Sequence, residues 1–267
     1  MSLEVLLIDI HCHPLPDTDD GAKSFEVAIS MLQMAAADGV THVVATPHCN
    51  FRYAFDQNAN LKKAAELQVA VGDMPKVLLG CDFHLSYDNI HRLTEKRMPF
   101  TINGTQYLLV EFDEHFIPQQ MDHVFYEIQI AGFTPILTHP ERNAVCRRKL
   151  QHVYNWITRG CLVQVTAQSY IGGFGSEAMR STERLLDLNM VHFMASDAHD
   201  TKYRPPLLSP AYQKMVHERG EELADLVFTK NPEAVIRGNS LPAFPQPISP
   251  SGKAGKKKRK WWSLLGA

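Results

Sequence analysis

Histidines and carboxylates recur along this 267-residue chain at the points where short apolar runs end. Each of these side chains can bind a divalent cation or transfer a proton. Any one of them, taken alone, is as often a helix cap or a hydrogen-bonded structural residue as a functional one. An apolar sheet, however, has no structural need for so many ionisable groups at one edge. Imidazoles and carboxylates together are the ligand set of Mn, Fe or Zn. The residues concerned are His11, His13, Asp17, Asp19, Asp20, His48, Asp82, Glu111, His139, Asp197 and His199.

Seven β-branched runs alternate with amphipathic stretches and predict the elements that position these side chains. Near-continuous apolar strands separated by helices indicate parallel strands buried on both faces, whose carboxyl ends meet on one side. The predicted strands are Val5–Ile10, His42–Ala45, Val77–Gly80, Tyr107–Glu111, Pro135–Thr138, Cys161–Val165 and Val191–Ala195. The predicted helices are Ser24–Asp38, Gln57–Val71, Gln119–Ala131, Lys149–Arg159 and Glu177–Leu188.

Seven such strands without internal repeats predict a single-domain α/β fold, in the form of a closed or nearly closed barrel. An open doubly wound sheet is the alternative, because periodicity cannot show closure. We expect the domain to span residues 1–240, followed by a Pro-rich linker over 241–252 and a basic, aromatic tail over 253–267.

The charge of the chain is distributed unevenly. The net charge is −2, but six of the 27 basic residues lie in the tail, so that residues 1–252 carry 21 basic and 29 acidic residues, a net charge of −8. An acidic body argues against broad nucleic-acid binding, which requires a basic surface. No run reaches the length of a membrane span, and the N-terminus lacks the pattern of a signal peptide. These features favour a soluble, cytoplasmic protein.

The five cysteines do not indicate disulfide bonds or cysteine-based catalysis. They are odd in number, and several lie in apolar strand-like runs, which is typical of reduced thiols. The Cys-x₅-Arg signature of cysteine-based phosphate chemistry requires Arg six positions after the cysteine, and none of the five meets this requirement.

Seven short motifs occur in a characteristic order along the chain. They are His11-Cys12-His13, Asp19-Asp20-Gly21, Thr46-Pro47-His48, Glu111-Phe112, His139-Pro140-Glu141-Arg142, Ser196-Asp197-Ala198-His199 and Arg204-Pro205-Pro206. This set resembles the polymerase and histidinol phosphatase (PHP) family, and more closely its bacterial protein-tyrosine phosphatase branch, found with capsule and exopolysaccharide genes. The resemblance covers residues 6–237. It implies a distorted seven-stranded, TIM-like (β/α) barrel holding three divalent metal ions, usually manganese, with iron or zinc as alternatives.

The resemblance also implies a role for each matching residue. The first ion would bind His11, His13, Asp82 and Asp197, the second Asp82, Glu111 and His139, and the third Asp20, His48 and His199. Arg142 and Arg204 match positions that hold the substrate phosphate, and together with Asp197 they are the predicted catalytic residues. The bridging position is usually Glu in this branch. Asp82 is one methylene shorter, so we expect a shifted strand or a water in the gap.

The function implied is a metal-dependent protein-tyrosine phosphatase acting on a membrane-associated bacterial autokinase that controls polysaccharide synthesis and export. Three alternatives remain open. One is a small-molecule phosphomonoesterase such as a histidinol phosphatase, and another is a weakly catalytic regulatory or scaffold module. The third is a metal-dependent nuclease, against which the acidic body and Asp19-Asp20-Gly21 count. The Tyr170–Gly175 segment could line the substrate pocket or serve as a flexible connection.

The tail combines the basic run Lys256–Lys260 with Trp261, Trp262 and a Leu pair. Tryptophan prefers the membrane interface, and each basic residue near an anionic leaflet contributes about 1 kcal/mol. Residues 253–265 therefore predict reversible contact with the inner face of the membrane, with a solvated tail or nucleic-acid binding as the alternatives.

Overall fold

The computed structural model describes residues 6–85, 89, 100–113, 115–118 and 120–251. Within these ranges the chain alternates between strands and helices, as the sequence pattern predicts. The strands are β1 Leu7–Cys12, β2 Val40–Ala45, β3 His48–Cys49, β4 Lys76–Leu79, β5 Asp82–His84, β6 Tyr107–Glu111, β7 Thr134–Thr138, β8 Leu162–Thr166 and β9 Phe193–Ala195.

Two of the longer helices, α1 and α2, begin at side-chain caps that the sequence signals. α1 begins where the Ser24 hydroxyl accepts the Val27 N–H, and α2 begins at the equivalent cap formed by Asp56. The helices are α1 Phe25–Ala37, α2 Gln57–Val71, α3 Met121–Ile130, α4 Ala144–Arg148, α5 Leu150–Ile157, α6 Ala167–Tyr170, α7 Gly175–Asp187, α8 Ser209–Arg219, α9 Glu221–Asp225 and α10 Asn231–Arg237. A 3₁₀ turn spans Ile102–Gly104, and a π-helical turn spans Leu226–Lys230.

All the described strands pair in parallel, which confirms an α/β fold with parallel sheets. One sheet has the order β1-β2-β4, and the other has the order β3-β5-β6-β7-β8-β9. The chain after β9 also lies beside the end of β1. There Asp197 donates its N–H to the His11 carbonyl at 2.7 Å, and His13 donates its own to the Ala198 carbonyl at 2.8 Å.

The described strands number nine in two sheets, where the sequence predicted seven in a closed or nearly closed barrel. The two additional strands are β3 and β5, each of which follows a predicted strand after a short interruption. Pro47, between β2 and β3, has no N–H for a strand ladder. Gly80, between β4 and β5, packs so tightly that an added Cβ would lie 3.0 Å from a Val44 methyl carbon. The sheet ladders of the described residues do not form one continuous ring.

The strands bury both faces, as their apolar composition predicts. Side chains on one face, among them Ile8, Ile10 and Leu109, pack with one another and with Val235 of α10. Side chains on the other face pack against helices such as α1 and α7 in a larger cluster. The candidate metal ligands therefore lie mainly at the strand ends, whereas Asp9 of β1 and Gln164 of β8 are buried polar residues within strands.

The segment predicted as a linker has no regular structure over its described part, yet it packs on the domain. The Phe244 ring stacks on His192 with centroids 4.7 Å apart, and Ile248 donates its N–H to the Leu188 carbonyl at 2.8 Å. The predicted membrane-contacting segment 253–265 lies outside the described residues. Among the described residues, no helix combines the length and the apolar character needed to cross a membrane.

Candidate metal centre

The carboxyl ends of the strands bring all nine predicted ligands to one region. His11 lies near the end of β1, Glu111 ends β6, and Asp197 and His199 follow β9. Three groups have ligand atoms that lie within 4.8 Å of one another, which is close enough to share an ion. They are His13 with Asp20, His48 and His199; His11 with His13 and Asp82; and His48 with Asp82 and Glu111.

Asp82 belongs to two of these groups and is fully buried. Its Oδ2 atom lies 3.4 Å from His11 Nε2 and 3.2 Å from His48 Nδ1. Neither carboxylate oxygen accepts a hydrogen bond from any described residue. A buried carboxylate that accepts no hydrogen bond requires nearby positive charge, which protonated imidazole rings or a bound metal ion can supply, so the surroundings of Asp82 fit a metal ion.

Asp20 lies at the more open side of the cluster. Its Oδ1 atom lies 3.3 Å from both His48 Nε2 and His199 Nε2. The buried His199 Nε2 has no hydrogen-bond partner among the described residues. The group contains the three residues expected for the third ion, and His13 as well.

His139 and Asp197 lie beside the three groups. His139 Nε2 is 3.5 Å from Glu111 Oε1, and Asp197 Oδ1 is 3.4 Å from His11 Nε2 and 3.5 Å from His13 Nε2. His139 and Asp197 both have positive φ, 32° and 51° respectively. Such backbone conformations are strained in non-glycine residues and persist mainly where the surrounding structure imposes them, often at functional sites.

The pKa values of the buried groups in the cluster are shifted in opposite directions, depending on whether a carboxylate or burial dominates. Burial lowers the pKa of His11, but the adjacent Asp82 and Asp197 carboxylates outweigh it and raise the pKa to about 9. Burial, with a further contribution from Asp82, raises the pKa of Glu111 to about 7. Burial is the main influence on His139 and lowers its pKa to about 3. This ring therefore stays in the neutral form that binds metals.

Two residues outside the nine predicted ligands fix the orientation of the first two histidines. Asp19 Oδ2 accepts from His13 Nδ1 at 2.7 Å and from the His48 N–H at 3.0 Å. Gln164 Oε1 lies 2.9 Å from His11 Nδ1. Both contacts turn Nε2 of the ring toward the cluster, as buried partners of metal-binding histidines do. In the sequence, the Asp19-Asp20-Gly21 motif pointed to Asp19, and the position of a polar residue within an apolar strand pointed to Gln164.

Gly21 allows the turn that carries Asp19 and Asp20 to fold back onto β1. A Cβ atom at this position would lie 2.2 Å from the His13 carbonyl oxygen and 2.6 Å from His13 Cβ, which is too close for any side chain. The turn is closed by the Ala22 N–H, which donates to the same carbonyl at 3.1 Å. The glycine of the motif is therefore required by close backbone approach.

Arg142 and Arg204 meet on one oxygen of Asp197. Arg142 Nη1 donates to Asp197 Oδ2 at 2.5 Å, and Arg204 Nη2 donates to the same atom at 2.6 Å. Arg204 Nε is buried and has no hydrogen-bond partner among the described residues. Two guanidinium groups beside a cluster of candidate metal ligands form a site suited to an anion such as a phosphate.

The cysteines are all buried and none forms a disulfide. Burial raises the pKa of Cys12 well above the usual thiol range, and it raises the pKa of Cys146 and Cys161 to about 12. A nucleophilic cysteine needs a lowered pKa. The environments of these three thiols therefore agree with the sequence pattern in disfavouring covalent cysteine catalysis.

Parallel strands ending in a buried cluster of histidines and carboxylates, with two arginines beside it, define the class of metal-dependent hydrolases. The chain matches the family of capsular polysaccharide synthesis proteins CpsB/CapC over residues 7–237, and it belongs to that family. It is 34% identical to tyrosine-protein phosphatase YwqE of Bacillus subtilis over 248 residues, which cover 91% of this chain and 96% of that protein. It is 28% identical to tyrosine-protein phosphatase CpsB of Streptococcus pneumoniae over 239 residues, which cover 86% of this chain and 98% of that protein.

Solved structures agree with this assignment. A chain from the crystal structures of YwqE and CpsB, described as metal-dependent tyrosine phosphatases, matches with a TM-score of 0.83 and 31% identity, and the match covers 91% of this chain and 99% of that chain. A β-aspartyl dipeptidase of Fervidobacterium islandicum matches with a TM-score of 0.52 and 16% identity, which is a likeness of fold alone. The predicted relationship to tyrosine phosphatases of capsule genes is confirmed by these relatives.

Proposed function

We propose that this protein is a metal-dependent protein-tyrosine phosphatase. Its substrate is phosphotyrosine on a membrane-associated bacterial autokinase that regulates capsular or exopolysaccharide synthesis. The observation that carries the proposal is the convergence of Asp82, which has no hydrogen-bond donor among the described residues, with the surrounding histidines and the Arg142–Arg204 pair. The identity of the relatives supports both the phosphomonoester chemistry and the link to polysaccharide synthesis.

We further propose that the two sheets together form the distorted seven-stranded barrel of the PHP family. β2 leads into β3 and β4 into β5 after short interruptions, and each of these pairs counts as one strand of such a barrel. The two hydrogen bonds between the end of β1 and the chain after β9 support closure. The shared inner cluster around Ile8 and Leu109 supports it too.

Three divalent ions, with manganese as the resident metal, are proposed for the three groups of ligands. A mixture of imidazoles and carboxylates suits Mn, Fe or Zn better than Mg, which prefers oxygen ligands. Asp82 would hold two ions together, since its Oδ2 atom lies between His11 and His48. His139 and Asp197 would complete the ligation from beside the groups. Ions bound there supply Lewis-acid polarisation of the phosphoryl group and activation of the attacking water.

The protein's own residues perform the remaining tasks. Arg142 and Arg204 bind the phosphoryl oxygens with their guanidinium N–H groups, while Asp197 holds both arginines at the edge of the cluster. Asp19 and Gln164 keep the His13 and His11 rings in the orientation that exposes Nε2. A tyrosine leaving group has a pKa of about 10 and needs less proton donation than an alkyl alcohol.

The decisive assay compares a phosphotyrosine peptide, histidinol phosphate and single-stranded DNA under the same conditions. We expect hydrolysis of the peptide to exceed the other two, to vanish in chelator and to return with Mn²⁺ better than with Mg²⁺. Faster turnover of histidinol phosphate would indicate a small-molecule phosphatase, and turnover of DNA a nuclease. Absence of hydrolysis with every metal would indicate a scaffold.

Variants connect this activity to the proposed site. His139→Ala should lower metal content and kcat together, whereas His123→Ala should change neither. His123 lies on α3 with 64% of its side chain exposed, and it pairs with Glu127. Full activity of His139→Ala, or full activity of the native enzyme in excess chelator, would contradict the assignment.

We also propose that residues 253–265 attach this cytoplasmic enzyme to the inner face of the membrane, near its kinase substrate. Support comes from the sequence, in which a basic run precedes two tryptophans and a leucine pair. The full chain should sediment with vesicles containing anionic lipid, more weakly in high salt, and a 1–250 truncation should not. If both remain in the supernatant, the tail does not bind membranes.

A further inference from the structure

The two arginines beside the ligand cluster require something to hold them in place. Both guanidinium groups donate to Asp197 Oδ2, so two like charges meet on a single oxygen. Their side chains are only partly exposed, 17% for Arg142 and 24% for Arg204. Because little water reaches the two guanidinium groups, their mutual repulsion is only weakly screened.

The Phe174 ring lies against both arginines. The Arg142 guanidinium carbon is 4.6 Å from the ring centroid, and that of Arg204 is 5.7 Å from it. Both distances are within the range over which a cation is attracted to the negative face of an aromatic ring. A single ring therefore contacts both positive groups and offsets part of their mutual repulsion.

The backbone around Phe174 is built to hold the ring at this position. The preceding Gly173 donates its N–H to the Gln168 carbonyl at 2.7 Å, and a Cβ there would lie 3.2 Å from Gln168 Cβ. The following Gly175 has a φ of 84°, which favours glycine. The segment between α6 and α7 is thus hydrogen-bonded and closely packed at this point.

A second connection links the same segment to Arg142. Glu177, in the first turn of α7, accepts from Arg147 Nη2 at 3.2 Å, and Arg147 Nη1 donates to the Arg142 carbonyl at 2.7 Å. The side chain of Arg142 is therefore contacted by Phe174, and its backbone is connected to the helix that starts directly after Phe174. The placement of this arginine depends on the segment after β8.

We propose that Phe174 is a positioning residue that orients Arg142 and Arg204 for binding the substrate phosphoryl group. The proposal rests on the proposed function for the identity of the substrate, but the geometry applies to any phosphate that the two arginines bind. Phe174 acts through the arginines, so its loss weakens the binding of phosphate in the ground state and the transition state alike. Such uniform weakening raises KM and leaves kcat nearly unchanged.

The test uses the Mn²⁺-loaded full-length enzyme and three variants. Phe174→Met retains an apolar side chain without a ring, Phe174→Tyr keeps a ring, and Ile130→Ala changes an exposed residue of α3, outside the Tyr170–Gly175 segment. The readouts are kcat and KM for a phosphotyrosine peptide, and the Kd of inorganic phosphate by calorimetry. We expect Phe174→Met to raise KM and the phosphate Kd about tenfold, as the loss of two cation–π contacts predicts. Phe174→Tyr and Ile130→Ala should remain near the native values.

Several results would overturn the proposal. One is a Phe174→Met enzyme with native metal content and an unchanged phosphate Kd, and another is a fall in kcat with KM unchanged. If Phe174→Met does not fold, Phe174→Tyr still tests the proposal. This variant keeps an aromatic ring, so a tenfold higher Kd for phosphate would contradict a role for the aromatic face. Failure of the native enzyme to hydrolyse phosphotyrosine would overturn the proposed function, while the phosphate Kd values would still test Phe174.

Discussion

Replacement of Asp19 by asparagine should weaken metal binding, although Asp19 is not itself a proposed ligand. Its two carboxylate oxygens accept three hydrogen bonds, from His13 Nδ1 at 2.7 Å, the His48 N–H at 3.0 Å and the Gly21 N–H at 2.9 Å. Asparagine has nearly the same shape, but one of its two terminal atoms is an NH₂ group. In either orientation of the amide, the NH₂ group faces an N–H donor and cannot accept a hydrogen bond from it.

The magnitude follows from these contacts. A buried donor left without an acceptor costs about 1–3 kcal/mol. Loss of the negative partner also weakens the basicity and orientation of His13, and removal of such a partner typically lowers metal affinity by about 10- to 100-fold. We therefore expect Asp19→Asn to fold, to bind Mn²⁺ at least about tenfold more weakly than the native protein, and to lose activity at limiting Mn²⁺.

The assay is a titration of the metal-depleted protein with Mn²⁺ against a competing chelator, followed by elemental analysis after dialysis. The matched control is Asp17→Asn, which removes the same charge two positions earlier. Asp17 is exposed and has a φ of 48°, a conformation that asparagine tolerates. Equal Mn²⁺ affinity of Asp19→Asn, Asp17→Asn and the native protein would refute the reasoning.

Three further predictions concern other parts of the chain. Asp82→Glu should retain the native metal content, whereas Asp82→Ala should lose at least one ion by elemental analysis, because two groups share this carboxylate. Asp38→Ala should lower the free energy of unfolding in urea by about 1–2 kcal/mol, because Asp38 accepts the Leu208 and Ser209 N–H groups at the start of α8 at 2.6 and 2.8 Å. His192→Gln should reduce acid sensitivity, because burial lowers the pKa of His192 to about 3. In the unfolded chain the ring binds a proton below a pKa of about 6.5, whereas the folded protein keeps it neutral. The free energy of unfolding therefore falls as the pH decreases from 6.5 toward 3, by about 1.4 kcal/mol at pH 5.5.

Each of these predictions has its own control. Equal metal content in Asp82→Ala and the native protein would show that Asp82 is not a metal ligand. Asp73→Ala, at a fully exposed position, should leave urea stability unchanged, and an equally small effect of Asp38→Ala would contradict the capping role. For His192→Gln, unfolding is measured in chelator at pH 8 and pH 5.5. A loss of stability on acidification as large as in the native protein would show that His192 does not carry the effect.

The sequence predicted helices that have clear local end signals and missed others, among them the 11-residue α8. α2 has the predicted bounds Gln57–Val71 because Asp56 and Gly72 supply local start and stop signals. The five-residue α4 and the four-residue α6 are too short to show a helical period, and neither was predicted. The two-residue strand β3 was not predicted either. Pro47 separates it from β2, since the proline ring removes the N–H that a neighbouring strand needs.

The sequence by itself determined which side chains can bind metals and that parallel strands bring their ends together. Strand ends are local features, and the carboxyl ends of parallel strands necessarily share one side of the sheet. For this reason all nine predicted ligands lie in one region of the described structure.

Only the tertiary structure decided how these ligands are grouped and oriented. It places His13 in two groups, His139 beside Glu111 rather than within a group, and the Phe174 ring on two arginines. The His11 ring is fixed by Gln164, 153 residues away along the chain. Ring orientation depends on the packing of distant segments and on buried polar atoms that must find partners, and no local pattern of residues encodes those contacts.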